Sequence, residues 1–156
     1  MSHKCRGNKG GGLSLKLPKT LRGDILIIGG GPAGMAAAIS AKRSNSKIDV
    51  VLIEKNEIMG RKLRATGNGR CNITNVNAEG YSEVISFLSS LGIVTKINEN
   101  GFLYPASESA ADVSELLELR LKQLGVKVYT GVTALEVSYA SDKTEFLTTV
   151  SMRETS

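Results

Sequence analysis

The sequence predicts an α/β domain built on a parallel strand–helix–strand unit, and three observations carry that expectation. Ile25–Ile28 is a short β-branched run of the kind buried on both faces of a parallel sheet. It runs into Gly29-Gly-Gly-Pro-Ala-Gly34, after which Met35–Arg43 is rich in alanine and helical. A second apolar run, Ile48–Ile53, ends on Glu54. Strands joined this way through a helix cross over right-handedly in nearly all proteins.

The remaining elements follow in chain order. Residues 55–78 show no apolar period and are rich in glycine, asparagine and basic residues, so they read as a long loop, a length that usually signals function or disorder. Ser82–Leu91 reads as a helix, with Val84, Ile85, Phe87, Leu88 and Leu91 as its apolar side. Ile93–Ile97 and Phe102–Tyr104 flank Asn100-Gly101, a strong tight-turn signal, and predict a small β-hairpin insertion. Ser109 followed by Asp112 predicts a capped helix start. Val113, Leu116, Leu117, Leu121 and Leu124 then form a core-facing stripe, and Gly125 suits the stop. Val126–Tyr129 is a third parallel strand, and Val132–Tyr139 with Thr144–Val150 forms a hairpin around Ser141-Asp142.

Composition bounds the organisation. The chain has 156 residues, 41% of them hydrophobic and 22% charged, enough for one modest domain with a real core. No apolar stretch nears the ~20 residues that cross a bilayer, so no membrane association is expected. Two cysteines, Cys5 and Cys71, cannot build a disulfide framework, which suits a reducing, cytoplasmic setting. The net charge of +5 is uneven: residues 1–23 hold six Lys or Arg and no acid, whereas residues 71–156 hold six basic and eleven acidic residues. Residues 1–23 therefore read as a flexible basic arm, residues 24–150 as the domain, and residues 151–156 as a polar tail. His3 lies on the arm, no Ser–His–acid set or metal-ligand cluster stands out, and Cys71 reads as a packed thiol.

Gly29-x-Gly31-x-x-Gly34 lies where a dinucleotide fingerprint requires it, between a strand and a helix. Gly29 permits the tight turn, Gly31 lets backbone approach a pyrophosphate, and Gly34 lets the helix pack close to the sheet. The helix start offers free N–H groups and partial positive charge to phosphates. Glu54, twenty residues after Gly34, is placed to accept hydrogen bonds from both hydroxyls of an adenosine ribose and would repel a 2′-phosphate. This pattern predicts a Rossmann-like FAD/NAD(P)-binding βαβ domain but does not by itself separate FAD from NAD.

A second glycine-rich segment, Gly60-Arg-Lys-Leu-Arg-Ala-Thr-Gly-Asn-Gly-Arg-Cys-Asn-Ile-Thr-Asn75, carries Arg61, Lys62, Arg64 and Arg70 and no acid. Exposed backbone N–H groups around Gly67 and Gly69 can form an anion-binding concavity. The strings GGGPAGMAAAI, LIEKN and above all GRKLRATGNGRCNITN resemble a bacterial family of NAD(P)/FAD-dependent oxidoreductases, the aminoacetone-oxidase-like flavoproteins. The segment Gly101-Phe-Leu-Tyr-Pro-Ala-Ser-Glu-Ser-Ala-Ala-Asp-Val113 is similar to another stretch of that family, so the resemblance covers residues 24 to about 139. Some members are proposed to reduce steroid or bile-acid double bonds.

The resemblance implies an FAD-dependent oxidoreductase moving hydride through the flavin, with NAD(P)H as donor and a small molecule as substrate. It implies that Gly29, Gly31, Pro32, Ala33 and Gly34 hold the pyrophosphate, Glu54 the ribose, with Lys55 beside it. Arg61, Lys62, Thr66, Gly67, Asn68, Gly69, Arg70, Cys71 and Asn72 would wrap the diphosphate and approach the flavin, and Val132 would meet the adenine. Family members are longer, with a return strand, a substrate domain and a flavin-closing segment. The chain therefore reads as an N-terminal, partial FAD-binding domain, inactive alone and binding FAD weakly or not at all. The alternatives are a non-enzymatic dinucleotide-binding remnant and a nucleic-acid binder working through the arm. Scarce aromatics argue against the last, and no nucleic-acid partner is expected.

Overall fold

The computed structural model describes residues 22–139 and 146–152. The basic arm up to residue 21, the Ser141-Asp142 turn and the last four residues lie outside the described residues. Three parallel strands form the central sheet: β1 (Ile25–Ile28), β2 (Val50–Glu54) and β6 (Lys127–Thr130), in the order β1-β2-β6. Ile25 to Ile28 stand beside Val50 to Ile53, and Val51 to Glu54 beside Lys127 to Thr130. Every residue of β2 is buried, as expected for the middle strand of a sheet covered on both faces.

Register divides the sheet into two faces. Ile27, Val50, Leu52 and Val128 look toward α1 (Pro32–Ser44) and α4 (Ala110–Gln123). They pack with Met35, Ile39, Val113, Leu117 and Leu121 in the main core. Val51, Ile53 and Tyr129 look the other way, onto Val132, Ala134 and Val150 of the ribbon formed by β7 (Val132–Tyr139) and β8 (Phe146–Met152). β8 pairs through to Met152, two residues past the expected domain end at residue 150. Ile25, Leu26 and Ile28 are 37%, 42% and 51% exposed, because β1 has no further strand on its outer side among the described residues.

The expected long loop is more structured than its sequence suggests. It contains α2 (Arg61–Arg64), a 3-10 turn at Thr66–Gly69 and the two-residue strand β3 (Thr74–Asn75). After α3 (Tyr81–Ser90), β4 (Thr95–Ile97) and β5 (Phe102–Pro105) form the expected hairpin. β3 pairs with β5, which makes the insertion a three-stranded antiparallel sheet. The Ser109 cap is formed as expected, its hydroxyl accepting from the Asp112 N–H. No helix among the described residues is long and apolar enough to cross a membrane.

Candidate dinucleotide site

The glycine turn follows β1, and its geometry explains each glycine. Gly29 has φ of +109°, a backbone conformation that side chains resist, and its N–H donates to the Ile53 carbonyl at 2.8 Å. A Cβ on Gly31 would meet nothing within 4 Å, so this backbone faces open space. A Cβ on Gly34 would collide with the Gly29 carbonyl, so α1 rests directly on the turn. Gly30, which sequence reasoning passed over, is also needed: a Cβ there would sit 2.8 Å from Met59 Cγ and 3.0 Å from Glu54 Cβ. Pro32 occupies the first turn of α1, where its missing N–H is harmless.

Glu54 points at this turn. Its Oε2 accepts the Gly30 N–H at 2.6 Å, and its Oε1 accepts the Asn56 N–H at 2.8 Å and the Asn56 side-chain amide. Only 8% exposed, it is a buried acid whose charge is met by donors. Three of its roughly four acceptor positions are filled by the chain's own donors, which leaves about one open. Asn56 was not anticipated, yet it links the acid to the basic loop: the Arg61 guanidinium donates to its Oδ1 at 3.4 Å, and the Gly131 N–H to its carbonyl at 3.1 Å. A hollow of about 180 Å³ opens beside Glu54, lined by Ile28, Gly29, Ile53, Lys55, Val132, Thr133 and Ala134. The turn, the acid, Lys55 and Val132 are thus together.

The basic loop divides its charges. Arg64 is committed to the fold, pairing with Glu115 at 3.7 Å and Glu118 at 3.5 Å on α4. Arg61 and Lys62 are exposed at the start of α2, where the Gly60 N–H is tied to the Gly30 carbonyl at 2.8 Å. Thr66 turns its hydroxyl back onto the Leu63 carbonyl. Gly67, Asn68 and Gly69 take left-handed backbone and keep Asn68 and Gly69 exposed, as is Asn72. Cys71, expected among the cofactor contacts, has a fully buried side chain in the main core. Burial pushes its thiol pKa up, against a lowering hydrogen bond with Thr66, so the thiol is a packing group. Arg70 lies over the Tyr104 ring, 5.4 Å from its centroid.

A parallel sheet with its first helix seated on a glycine turn, and an acid at the end of the second strand, define an α/β Rossmann-like FAD-binding fold. Residues 23–82 match the family model described as HI0933-like protein Rossmann domain. A 3-dehydro-bile acid delta(4,6)-reductase of Clostridium scindens is 43% identical over 127 residues, spanning 69% of this chain and 31% of that protein. The ribosomal RNA dihydrouridine synthase of Escherichia coli is 41% identical over 58 residues, 37% of this chain and 14% of that one. Among solved structures, Thermovibrio ammonificans THI4 superposes with a TM-score of 0.67 at 18% identity, covering 84% of this chain and 47% of the other. The chain thus spans about a third or less of the curated relatives it matches. FAD is the cofactor of this fold class, and the first of these relatives is by name a reductase.

Proposed function

We propose that this chain is the FAD-binding part of an aminoacetone-oxidase-like flavoprotein that reduces a carbon–carbon double bond conjugated to a carbonyl. The observation that carries the cofactor half is Glu54, fixed on the Gly30 N–H at the mouth of the hollow that Lys55 and Val132 line. Gly29, Gly31 and the start of α1 would take the diphosphate, Glu54 and Lys55 the ribose, and Val132 the adenine. Arg61 and Lys62 would add positive charge along the diphosphate. Thr66, Gly67, Asn68, Gly69 and Asn72 would carry the site toward the flavin. When bound, FAD supplies a two-electron carrier.

The reaction class rests on the two relatives' names. A bile acid with a 3-oxo group beside a Δ4,6 system and a uracil ring with its 5,6 double bond beside a carbonyl share one functional group. Reduction adds a hydride to the carbon remote from the carbonyl and a proton to the adjacent carbon. A nicotinamide hydride donor would restore the reduced cofactor. Either substrate reacts as a small ring presented at the site.

The test is an amide NMR titration of the chain with ADP and then FAD. Shifts should concentrate at Gly29, Gly31, Ala33, Gly34, Lys55 and Val132. Because one carboxylate position and one helix start do most of the holding, binding should be weak, about 1 mM, or −4.1 kcal/mol. Shifts confined to other parts of the chain, or none at saturating ADP, would sink the reading.

A further inference from the structure

One face of the small sheet carries aromatic and basic side chains outside the hollow beside Glu54. Phe102 and Tyr104 are two apart on β5 and point to the same side. Asn75 stands opposite Phe102 and Lys96 opposite Tyr104, so all four share that face. Phe102 is 38% exposed, whereas Leu103 between them is 1% exposed and turned into the protein. Arg70 lies on Tyr104, and among the described residues its guanidinium donates to no acceptor. It is thus a planar cation held over an aromatic ring, with N–H donors that no acceptor among the described residues takes up.

The surrounding backbone holds this arrangement in place. Three non-glycine residues have positive φ among the described residues: Asn68 (55°), Cys71 (64°) and Glu108 (52°). Asn68 and Cys71 bracket Arg70, and Glu108 pairs with Lys96 on the same face. Such backbone is disfavoured for residues with a side chain and gathers where a site is held ready. The loop is closed by the Cys71 N–H on the Thr66 carbonyl at 3.1 Å and anchored by the buried Cys71 side chain. A Cβ on Gly67 would lie 3.5 Å from Tyr104, so the loop backbone sits close to the ring. Lys96 holds the Glu108 carboxyl below its ordinary range, with Arg70 adding to the effect.

We propose that Arg70, Tyr104 and Phe102 form the shelf that receives the substrate: a planar ring lies against Phe102 with its edge toward Arg70, its conjugated carbonyl oxygen accepting from the outward N–H groups in the guanidinium plane. This rests on the flavoprotein reading above and assigns Arg70 to substrate rather than diphosphate. The ring carbonyl suits a guanidinium because it only accepts hydrogen bonds, and charge that builds on its oxygen during reduction meets a fixed cation. Saturation removes both the planarity and the conjugation, so the reduced product fits the shelf less well.

The experiment follows the Tyr104 ring and Arg70 Nε–H signals of the chain by NMR. Four probes are titrated separately: 3-oxochol-4-en-24-oic acid, its ring-saturated counterpart, uridine 5′-monophosphate and riboflavin. An unsaturated probe should shift both signals, and whichever of the two does so identifies the steroid or the nucleotide source. The saturated steroid should bind at least about fivefold more weakly, and Arg70→Gln should weaken the effective probe about tenfold. Arg70 is exposed, so that variant should keep its thermal midpoint; Phe102→Ser is the second variant, expected to weaken the same probe. Shifts from riboflavin alone, equal binding of saturated and unsaturated steroid, or no shift at Tyr104 with any probe would overturn the shelf. ADP titrated in parallel separates the two readings: ADP bound with no probe bound fails only the shelf, and probe bound with no ADP bound fails only the flavin site.

Discussion

Replacing Gly34 with alanine should unseat α1 from the sheet. The new Cβ would fall well inside the contact distance of the Gly29 carbonyl oxygen and 3.2 Å from its carbon. Neither atom belongs to a flexible side chain, so the helix itself must withdraw. A retreat of about 0.5–1 Å forfeits a quarter to a half of the packing attraction along the seam. The residues that lose it are Met35 and Ile39, both fully buried, with Ala38 between them. Burial of two such side chains is worth about 1.5–3 kcal/mol each, so the loss is about 1–3 kcal/mol. At roughly 2–4 °C per kcal/mol for a chain of this size, the thermal midpoint should fall by about 2–12 °C. Gly31→Ala is the control, since its Cβ meets nothing and only cap preference is lost, within about 1 kcal/mol. Circular dichroism melts of both variants check the argument. A Gly34→Ala midpoint equal to the parent's, or a larger loss from Gly31→Ala, would refute it.

Three further outcomes follow from the same geometry. Glu54→Gln keeps one acceptor oxygen but sets an amide N–H against either Gly30 or Asn56, so urea unfolding should show a loss of about 1.5–3 kcal/mol, and ADP-induced shifts at the turn should weaken. Ser109→Ala removes the α4 cap and should cost about 0.5–2 kcal/mol in the same assay, without altering ADP binding. Cys71 has a raised thiol pKa, so its effect on stability is absent while both states are protonated and grows once the unfolded thiol ionises near pH ~8.5. Stability should therefore decline as pH rises through and above that value. In a Cys5→Ser background, Cys71→Ala should remove that alkaline decline in urea midpoints compared between neutral and high pH.

Much of the dinucleotide half was legible because its signals are local. A β-branched run, a glycine turn and an alanine-rich segment specify β1, the turn and α1 without help from distant residues. Boundaries moved where local chemistry was overlooked: α1 starts at Pro32, since proline fits the first turn, and β2 starts at Val50, after the turn formed by residues 45–48. The loop after Glu54 hid its structure because distant partners impose it. α2 has no apolar period, and Arg64 ties it to glutamates more than fifty residues away on α4. β3 is two residues long and exists only by pairing with β5. Asn56 and Tyr104 escaped notice for the same reason: one matters through Glu54, the other through Arg70, and neither relation is written in spacing.

Among the described residues no strand covers the outer side of β1, and that has a consequence for handling the protein. A row of backbone donors and acceptors flanked by Ile25, Leu26 and Ile28 is a template onto which any extended polypeptide can zip. Within a longer polypeptide that row is a landing place for another strand; in a concentrated preparation of this chain it invites copies to join edge to edge. Dilute, low-temperature samples should stay dispersed longest, and a lysine at position 26 should extend that window.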